Sequence, residues 1–288
     1  MGLSALTEYL LQAVNCVLTP AQRAILPCPA QSILVTGGEQ AGKSLLASKK
    51  FLQELVPDIA RAKAAGYNFP LIYWLVAADY DRTDQEFNYI KQDLDLLGLL
   101  HKASKRVDPG FLEVGGGTGG NPVVAIIRTK SGKDYKTLGK EAPMGIIGCE
   151  ASQLDLEAYL RLVSRQAPHK AWMFLTGTME SSLGWYPQLR QQWATGQENK
   201  RAFSLPSYSN HYLYPGGKDD PAIVQLRADT PDDFFLERIE GIPCPPRGLV
   251  LTEFLPDVHV SESCVYVPGQ PVTIWYDPGY DHAAALEV

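Results

Sequence analysis

The fold of this chain of 288 residues is decided by one stretch, Gly37-Gly38-Glu39-Gln40-Ala41-Gly42-Lys43-Ser44. Residues 32–36 directly before it, Ser-Ile-Leu-Val-Thr, form a short apolar run that predicts a buried strand. Residues 43–55 have helical spacing and contain no glycine or proline, so they predict a helix. The stretch therefore matches the pattern G-x-x-x-x-G-K-S/T in full, and it lies in the context that this motif requires.

This glycine loop, as residues 37–44 are called below, is suited to hold phosphate. Its glycines let backbone N–H groups turn inward, and the helix N-terminus adds about half a positive charge. We expect Lys43 to reach the β- and γ-phosphates and the Ser44 hydroxyl to bind Mg²⁺. The sequence thus predicts that ATP and Mg²⁺ bind at the loop, which consists of Gly37, Gly38, Glu39, Gln40, Ala41, Gly42, Lys43 and Ser44.

Gln22 lies upstream in the segment Thr-Pro-Ala-Gln-Arg. Its amide offers a donor and an acceptor, which hydrogen bonding to the edge of adenine requires. Gln22 is therefore a candidate for binding the base. A solvent-exposed glutamine on a short helix, with Thr19 as N-cap and Pro20 at the first position, explains the residue equally well.

A second acidic element is expected at the end of a neighbouring strand. Residues 144–150 read Met-Gly-Ile-Ile-Gly-Cys-Glu, so Glu150 follows a predicted buried strand and precedes a predicted helix. That position is the carboxyl edge of the sheet, where ligands bind in such folds. We predict that Glu150 is the base that orients and polarises the attacking water. The alternative is a glutamate that only caps the helix.

Cys149 departs from the usual pattern, because P-loop ATPases place an aspartate there to help hold Mg²⁺. A thiol is a soft ligand, whereas Mg²⁺ prefers hard oxygen and keeps several waters. We predict that Cys149 does not bind the metal directly. Ser44, phosphate oxygens and waters would then hold it, with lowered metal affinity or turnover.

Leu175-Thr176-Gly177-Thr178 ends the next predicted strand. A hydroxyl at this place is suited to sense the γ-phosphate and to pass its loss to the rest of the domain. We therefore predict that Thr176, Gly177 and Thr178 couple the site to movement. An ordinary turn after a strand is the alternative.

The remaining patterns predict alternating strands and helices. Their order indicates an α/β fold with a largely parallel sheet flanked by helices. The predicted strands are residues 70–78, 110–114, 123–128, 145–148, 171–176 and 272–276. The predicted helices are residues 5–17, 84–99, 154–165 and 229–241, besides the two already described.

Two further sequence features are interpreted as structural rather than functional. The run of glycines at 115–120 contains a G-x-G-x-x-G match, but no helix follows it, so it predicts a hairpin tip rather than a dinucleotide site. The basic clusters at 101–106 and 130–140 predict solvated faces, with a DNA-facing role as the alternative.

Composition excludes several classes of protein. The formal net charge is −6, whereas a protein that coats DNA without specificity is usually basic. The five cysteines are odd in number and scattered, which argues against disulfides and a zinc site. The N-terminus lacks the features of a signal peptide, and no apolar run is long enough to span a bilayer.

Together these elements resemble the large terminase subunit of tailed bacteriophages, an ASCE-type P-loop NTPase. The resemblance covers nearly the whole chain. It rests on Gly37–Ser44, Gly145–Glu150, Leu175–Thr178 and the segments at 18–23, 71–87, 184–186, 233–238 and 248–254. Its most specific part is Ile-Trp-Tyr-Asp-Pro-Gly-Tyr-Asp-His-Ala-Ala at 274–284, which looks like the first strand of an RNase H-like nuclease. In that family an aspartate at the position of Asp277 binds catalytic metal.

The resemblance implies an ATP-driven motor that works in the host cytoplasm. Its subunits would form a ring on the portal protein, work with the small terminase subunit and pump double-stranded viral DNA into the procapsid. A basic residue would complete the site of the neighbouring subunit. The family's position for that residue falls near Gly139, which cannot serve, so Arg128, Lys136 and Lys140 are the candidates.

The implied domains are an ATPase domain at 1–245, with a lid and linker subdomain from about 195, a linker at 246–271 and the start of a nuclease at 272–288. Two-metal nucleases need several carboxylates, and few residues follow Asp277. We therefore expect a fragment of a longer protein that cannot cut DNA. The alternatives are another nucleic-acid translocase or helicase of the P-loop class, and a nucleotide-binding module in which Cys149 has impaired hydrolysis.

Overall fold

A computed structural model describes residues 4–67, 70–115, 122–179, 184–244, 274–277 and 284–287. Within these ranges, the side chains of residues 134, 136, 137, 274–277 and 284–287 are left out of the description. The chain divides into two units, Met1–Pro246 and Arg247–Val288. Among the described helices, none combines the length and the apolar character needed to cross a bilayer.

The first unit contains eight strands and eight α-helices among its described residues. The strands are β1 (Ser32–Gly37), β2 (Leu71–Ala77), β3 (Leu100–Ala103), β4 (Phe111–Gly115), β5 (Val123–Ser131), β6 (Gly145–Gly148), β7 (Trp172–Gly177) and β8 (Lys200–Leu205). The helices are α1 (Ala5–Ala13), α2 (Pro20–Ile25), α3 (Lys43–Ala64), α4 (Asp84–Leu96), α5 (Leu156–Gln166), α6 (Trp185–Ala194), α7 (Pro221–Asp229) and α8 (Asp232–Phe235).

All eight strands form one sheet in the order β3-β4-β5-β2-β6-β7-β1-β8. The six strands from β5 to β8 in that order pair in parallel. At the other end, β4 pairs antiparallel with both β5 and β3. The predicted α/β fold with a largely parallel sheet and flanking helices is therefore confirmed, with an antiparallel extension on one side.

The central strands are buried on both faces, which explains why they read as continuous apolar runs. In β1, Ile33 and Val35 pack into a cluster with residues of α1 to α4, whereas Leu34 packs into a second cluster with residues of α5 and α6. Successive side chains of a strand point to opposite faces. The helices therefore cover the sheet on both sides, and the carboxyl ends of the parallel strands meet along one edge.

Several predicted boundaries shift in the structure. Helix α3 continues through Pro57 to Ala64, well beyond the predicted end at residue 55. Proline removes one backbone hydrogen bond from a helix, but the continued burial of Leu55, Asp58 and Ala62 holds this helix together. The other predicted helices and strands begin or end within a few residues of those observed.

Among the described helices and strands of the first unit, four had no sequence prediction. They are β3, which includes part of the basic cluster at 101–106, together with α6, α7 and β8. Strand β8 pairs with β1 at the edge of the sheet although its sequence, Lys-Arg-Ala-Phe-Ser-Leu, is half polar. Edge strands are only partly buried, so they lack the continuous apolar run that marked the central strands.

In the second unit, β9 (Ile274–Asp277) pairs antiparallel with β10 (Ala284–Glu287). Asp277 lies opposite Ala284 in this hairpin. The strand predicted at 272–276 is thus present in its described part. The similarity of this unit to an RNase H-like nuclease stays a prediction.

Candidate nucleotide site

The glycine loop joins the carboxyl end of β1 to the first residue of α3. Gly42 precedes the helix with φ at +84°, and Gln40 also has a positive φ of 57°. Gly38 lies so close to its surroundings that an added Cβ atom would be 2.2 Å from the Ile239 carbonyl oxygen and from the Ser207 Oγ atom. A side chain at position 38 would therefore displace the backbone that supports the loop.

The loop is held from outside by the segment that follows β8. The Ser207 hydroxyl donates to the Glu39 carbonyl oxygen, and the Asn210 amide donates to the Gln40 carbonyl oxygen at 2.8 Å. The Glu39 N–H donates to the Arg238 carbonyl oxygen at 2.7 Å. The Glu39 and Gln40 carbonyl groups and the Glu39 N–H are therefore satisfied by contacts outside the loop, which fix its backbone.

Lys43 lies across this inner side. Its Nζ atom donates to the Gly38 carbonyl oxygen and to the Thr178 hydroxyl, both at 2.9 Å, and lies 4.0 Å from Glu150 Oε1. Burial lowers the pKa of the ammonium group, and the nearby Glu150 carboxylate opposes that effect. A buried cation with few fixed negative partners is suited to receive the charge of a phosphate.

Glu150 follows β6 in a left-handed backbone conformation, with φ at 44° and ψ at 51°. A non-glycine residue pays about 1–2 kcal/mol for this conformation. Its side chain does not cap the short helical turn that follows, so the capping alternative is wrong. Instead, Glu150 Oε2 accepts a hydrogen bond from the Thr178 N–H at 3.3 Å.

The two threonines after β7 have different surroundings. Thr178 contacts both Lys43, through its hydroxyl, and Glu150, through its N–H group. Thr176 is buried and donates to the Gly148 carbonyl oxygen at 3.1 Å, which ties β7 to β6. Gly177 lies between them, where an added Cβ atom would be 2.8 Å from the Tyr186 hydroxyl. The segment therefore contacts Lys43, Glu150 and β6, and its role in coupling stays a prediction.

Gln22 is 2% exposed, so the solvent-exposed alternative is wrong. Its Oε1 atom accepts from the Thr19 N–H at 2.9 Å, and Thr19 caps α2 in return, as predicted. Its Nε2 atom donates to the Gly42 carbonyl oxygen at 3.1 Å. The amide therefore joins α2 to the glycine loop, and adenine binding by Gln22 stays a prediction.

The main residue that the sequence analysis missed is Glu86. It lies in the first turn of α4, is 2% exposed, and its carboxylate hydrogen-bonds with the Ser44 hydroxyl and the Cys149 thiol. Burial raises the pKa of Glu86 to about 7, and these hydrogen bonds oppose that effect. One sequence signal was available, because Glu86 occupies the apolar face of the helix with Ile90, Asp93 and Leu94.

Cys149 is fully buried beside Glu86. Burial raises the pKa of its thiol well above the usual value, and the two neighbouring glutamates act in the same direction. The group is therefore a neutral thiol. Arg238 is a second residue that the sequence analysis missed, since its guanidinium lies 4.0 Å from the Glu39 carboxylate at the outer side of the loop.

The glycine loop borders a cleft with a volume of about 530 Å³. That volume lies within the range of about 300–1,000 Å³ for small-molecule sites. The lining comes from the glycine loop, the start of α2, the first two turns of α4, and the segments that follow β6, β7 and β8. It includes Gln22, Lys43, Ser44, Gln85, Tyr89, Glu150, Thr178, Asn210 and Tyr212.

The donors at this edge fit a magnesium ion that arrives with a nucleotide. They are the Ser44 hydroxyl and the carboxylates of Glu86 and Glu150, all hard oxygens. Among the residues that the structure describes, no group of three or more His, Cys, Asp or Glu side chains could hold a metal by itself. Mg²⁺ is usually bound by one or two carboxylates together with phosphate oxygens and waters, so a complete protein cage is not required.

Arg128 and Lys140 lie outside this cleft. They line a separate groove of about 490 Å³ along β5, together with Lys130. Arg128 forms an ion pair with Glu141. The side chains of Lys136 and Asp277 lie outside the described part of the chain, and so do the hairpin tip at 116–121 and residue Asp281.

Fold and site together define a mixed α/β protein with a glycine loop and a cleft at the carboxyl edge of its sheet. No protein-family model matches the sequence. No curated protein matches it either. Solved structures do match, among them ATPase domains and longer chains of large terminases from thermophilic phages.

A mutant of the large terminase ATPase domain from Thermus phage P74-26 superposes with a TM-score of 0.63 at 14% sequence identity, over 85% of this chain and 100% of that one. The large terminase of a second thermophilic bacteriophage gives a TM-score of 0.61 at 15% identity, over 91% of this chain and 62% of that one. The same terminase in complex with ATP-gamma-S gives a TM-score of 0.60 at 14% identity. The chain therefore has the fold of a large terminase ATPase domain and spans less than two thirds of the second phage's terminase.

Proposed function

We propose that the chain is the ATP-hydrolysing part of a large terminase, the motor subunit that moves double-stranded viral DNA into the procapsid. One observation carries the proposal. Lys43, Glu150 and Thr178 come from three different strand ends and contact one another at the carboxyl edge of the sheet. The likeness in fold to large terminase ATPase domains, one of them solved with ATP-gamma-S, supports it.

In this proposal the glycine loop is a P-loop that holds the phosphates with its N–H groups. Ser44 would hold Mg²⁺ that arrives with the nucleotide, and the ion would supply charge that neutralises the phosphates. Lys43 exchanges its contact with the Gly38 carbonyl oxygen for the γ-phosphate. Glu150 orients a water for in-line attack and accepts its proton, since its carboxylate is partly exposed to the cleft and fixed by the Thr178 N–H.

Thr178 is suited to sense the γ-phosphate because it contacts both Lys43 and Glu150. A shift of Lys43 on hydrolysis would change the hydrogen bond to the Thr178 hydroxyl. Thr176 and Gly177 would then pass the change to β6 and to Tyr186. Adenine would lie near Gln22 at the other end of the cleft.

The proposed partners follow from the resemblance to large terminases. They are double-stranded DNA, the portal protein and the small terminase subunit, with a ring of this chain as the working assembly. Residues that act on a neighbour must lie away from their own cleft, as Arg128 and Lys140 do. We also propose that residues 1–245 form the ATPase part with a lid from about 195, and that Asp277 belongs to a nuclease that begins at residue 272.

A nucleotide-binding module with impaired hydrolysis is a second candidate, and Cys149 is the observation that favours it. Hydrolysis of Mg²⁺-ATP measured over a range of protein concentrations separates the two. We expect a rate per subunit that rises with concentration in the wild type and stays low in Arg128→Ala, because subunits complete each other's sites. If the wild-type protein were inert and the Cys149→Asp variant active, the proposal of an ATP-hydrolysing motor would be overturned. The nucleotide-binding module with impaired hydrolysis would then be favoured.

A further inference from the structure

The candidate nucleotide site contains a carboxylate, Glu86, at a place where the sequence motifs predict no acidic residue. In P-loop NTPases Mg²⁺ is held by the loop hydroxyl and by an aspartate after a neighbouring strand. Here that position is Cys149, a fully buried neutral thiol, which is a poor ligand for a hard cation. The oxygen that would normally complete the metal site is therefore missing from β6.

Glu86 brings an oxygen to the same place from another element. Strands β2 and β6 are neighbours, with Val76 opposite Gly148, so the chain that leaves β2 passes the end of β6. It turns there into α4, whose first turn places the Glu86 carboxylate against both Cys149 and Ser44. A glutamate is one methylene longer than an aspartate, which suits a residue that reaches in from the next strand.

The surroundings of Glu86 are those of a ligand position. Its two side-chain partners, the Ser44 hydroxyl and the Cys149 thiol, can both rotate away. Among the described residues, no lysine, arginine or histidine forms an ion pair with Glu86, although its side chain is almost wholly buried and Lys43 lies near enough to interact with it electrostatically. A buried carboxylate without a contacting cation is costly, and a bound divalent ion removes that cost.

We infer that Glu86 is the carboxylate that holds Mg²⁺ in this site and replaces the aspartate that position 149 lacks. The inference rests on the proposed function, because the metal arrives with the nucleotide. Ser44 would exchange its hydrogen bond to Glu86 for the metal, and Glu86 would bind it directly or through a metal-bound water. Cys149 then acts as a neutral spacer that leaves room for the longer side chain.

The test is the affinity for Mn²⁺, a paramagnetic substitute for Mg²⁺, measured by electron paramagnetic resonance with ATP-γ-S at saturation. We expect Glu86→Gln to weaken Mn²⁺ binding by about ten- to a hundredfold, in the range typical of residues that support a metal site. Nucleotide binding in the presence of EDTA should stay at the wild-type level. Glu157→Gln on the exposed face of α5 is the matched control and should bind Mn²⁺ like the wild type.

Two further variants keep the test decisive. Adding Cys149→Asp to Glu86→Gln restores one carboxylate at the usual place and should recover most of the Mn²⁺ affinity. Glu86→Asp keeps the charge but shortens the reach, so it should also lose affinity, and it serves if Glu86→Gln does not fold. Unchanged Mn²⁺ affinity in a folded Glu86→Gln or Glu86→Asp variant would overturn the inference about Glu86 and leave the proposed function in place. A wild-type protein that binds no nucleotide would overturn the proposed function as well.

Discussion

Two buried carboxylates lie at opposite ends of the same sheet. Asp58, on α3, is 1% exposed near the amino ends of β2 and β7, and Glu86, on α4, is 2% exposed at their carboxyl ends. Asp58 Oδ2 accepts from the Tyr73 hydroxyl at 2.9 Å and from the Trp172 indole N–H at 3.0 Å, and Oδ1 forms an ion pair with Arg61. The side-chain hydrogen-bonding partners of Glu86 are instead the Ser44 hydroxyl and the Cys149 thiol.

The difference separates a structural acid from a candidate ligand. Two partners of Asp58, Tyr73 and Trp172, are large side chains fixed by packing, and both lose their only described acceptor if the carboxylate is removed. The partners of Glu86 are small and can rotate, and one of them belongs to the glycine loop. Burial alone therefore does not identify a functional acid, whereas the kind of donor around it does.

The largest effect on stability is expected at the amino end of the sheet. Asp58→Ala should lower the free energy of unfolding by about 2–4 kcal/mol, because it leaves the buried donors of Tyr73 and Trp172 unpaired. Urea unfolding of the apo protein measures the change. Asp58→Asn keeps an acceptor for Tyr73 and Trp172 and should cost far less. Equal losses in the two variants would contradict the structural role of the hydrogen bonds.

A smaller effect is expected where α2 meets the glycine loop. Gln22→Ala removes the return hydrogen bond of the capping box and the contact with Gly42, so it should cost about 1–2 kcal/mol of stability. It should also weaken binding of ATP-γ-S, because the loop loses its tie to α2. Gln12→Ala on the exposed face of α1 is the control. Normal stability and normal binding in Gln22→Ala would show that the loop is held by its other contacts.

At the carboxyl edge we expect little change in stability. Glu86→Gln should alter the free energy of unfolding of the apo protein by no more than about 1 kcal/mol, because an isosteric amide avoids the cost of a buried charge. Thermal unfolding without nucleotide measures this. A loss as large as that of Asp58→Ala would erase the distinction between the two carboxylates.

The smallest expected effect is the pH dependence of the unfolding free energy that Asp58 contributes. Burial raises the pKa of Asp58 in the folded protein, and the hydrogen bonds from Trp172 and Tyr73 oppose that effect. The folded state therefore holds the proton more tightly than the unfolded chain, so this group's contribution to stability is greatest below its unfolded pKa. It falls as the pH rises through the folded pKa. The unfolding free energy of the wild type minus that of Asp58→Asn should decline with rising pH, and a rise would contradict the direction of the shift.

The sequence predicts the local parts of the site well and the non-local parts poorly. The glycine loop, Glu150 and Thr178 each follow a strand whose apolar run is visible in the sequence, so their edge of the sheet was predictable. Glu86 was missed because its position depends on β2 being the neighbour of β6. No pattern within one segment reveals such a pairing. For the same reason the sequence could not predict whether Gln22 is buried, because its burial depends on contact with Gly42.

The most direct test of the account is the rate of Mg²⁺-dependent ATP hydrolysis by Glu150→Gln, with Glu157→Gln as control. The amide keeps the shape of the side chain but cannot accept the proton of the attacking water. The rate should fall by about 10²–10⁴-fold while ATP-γ-S binds as it does to the wild type. A Glu150→Gln variant that hydrolyses ATP at the wild-type rate would contradict the assignment of the catalytic carboxylate.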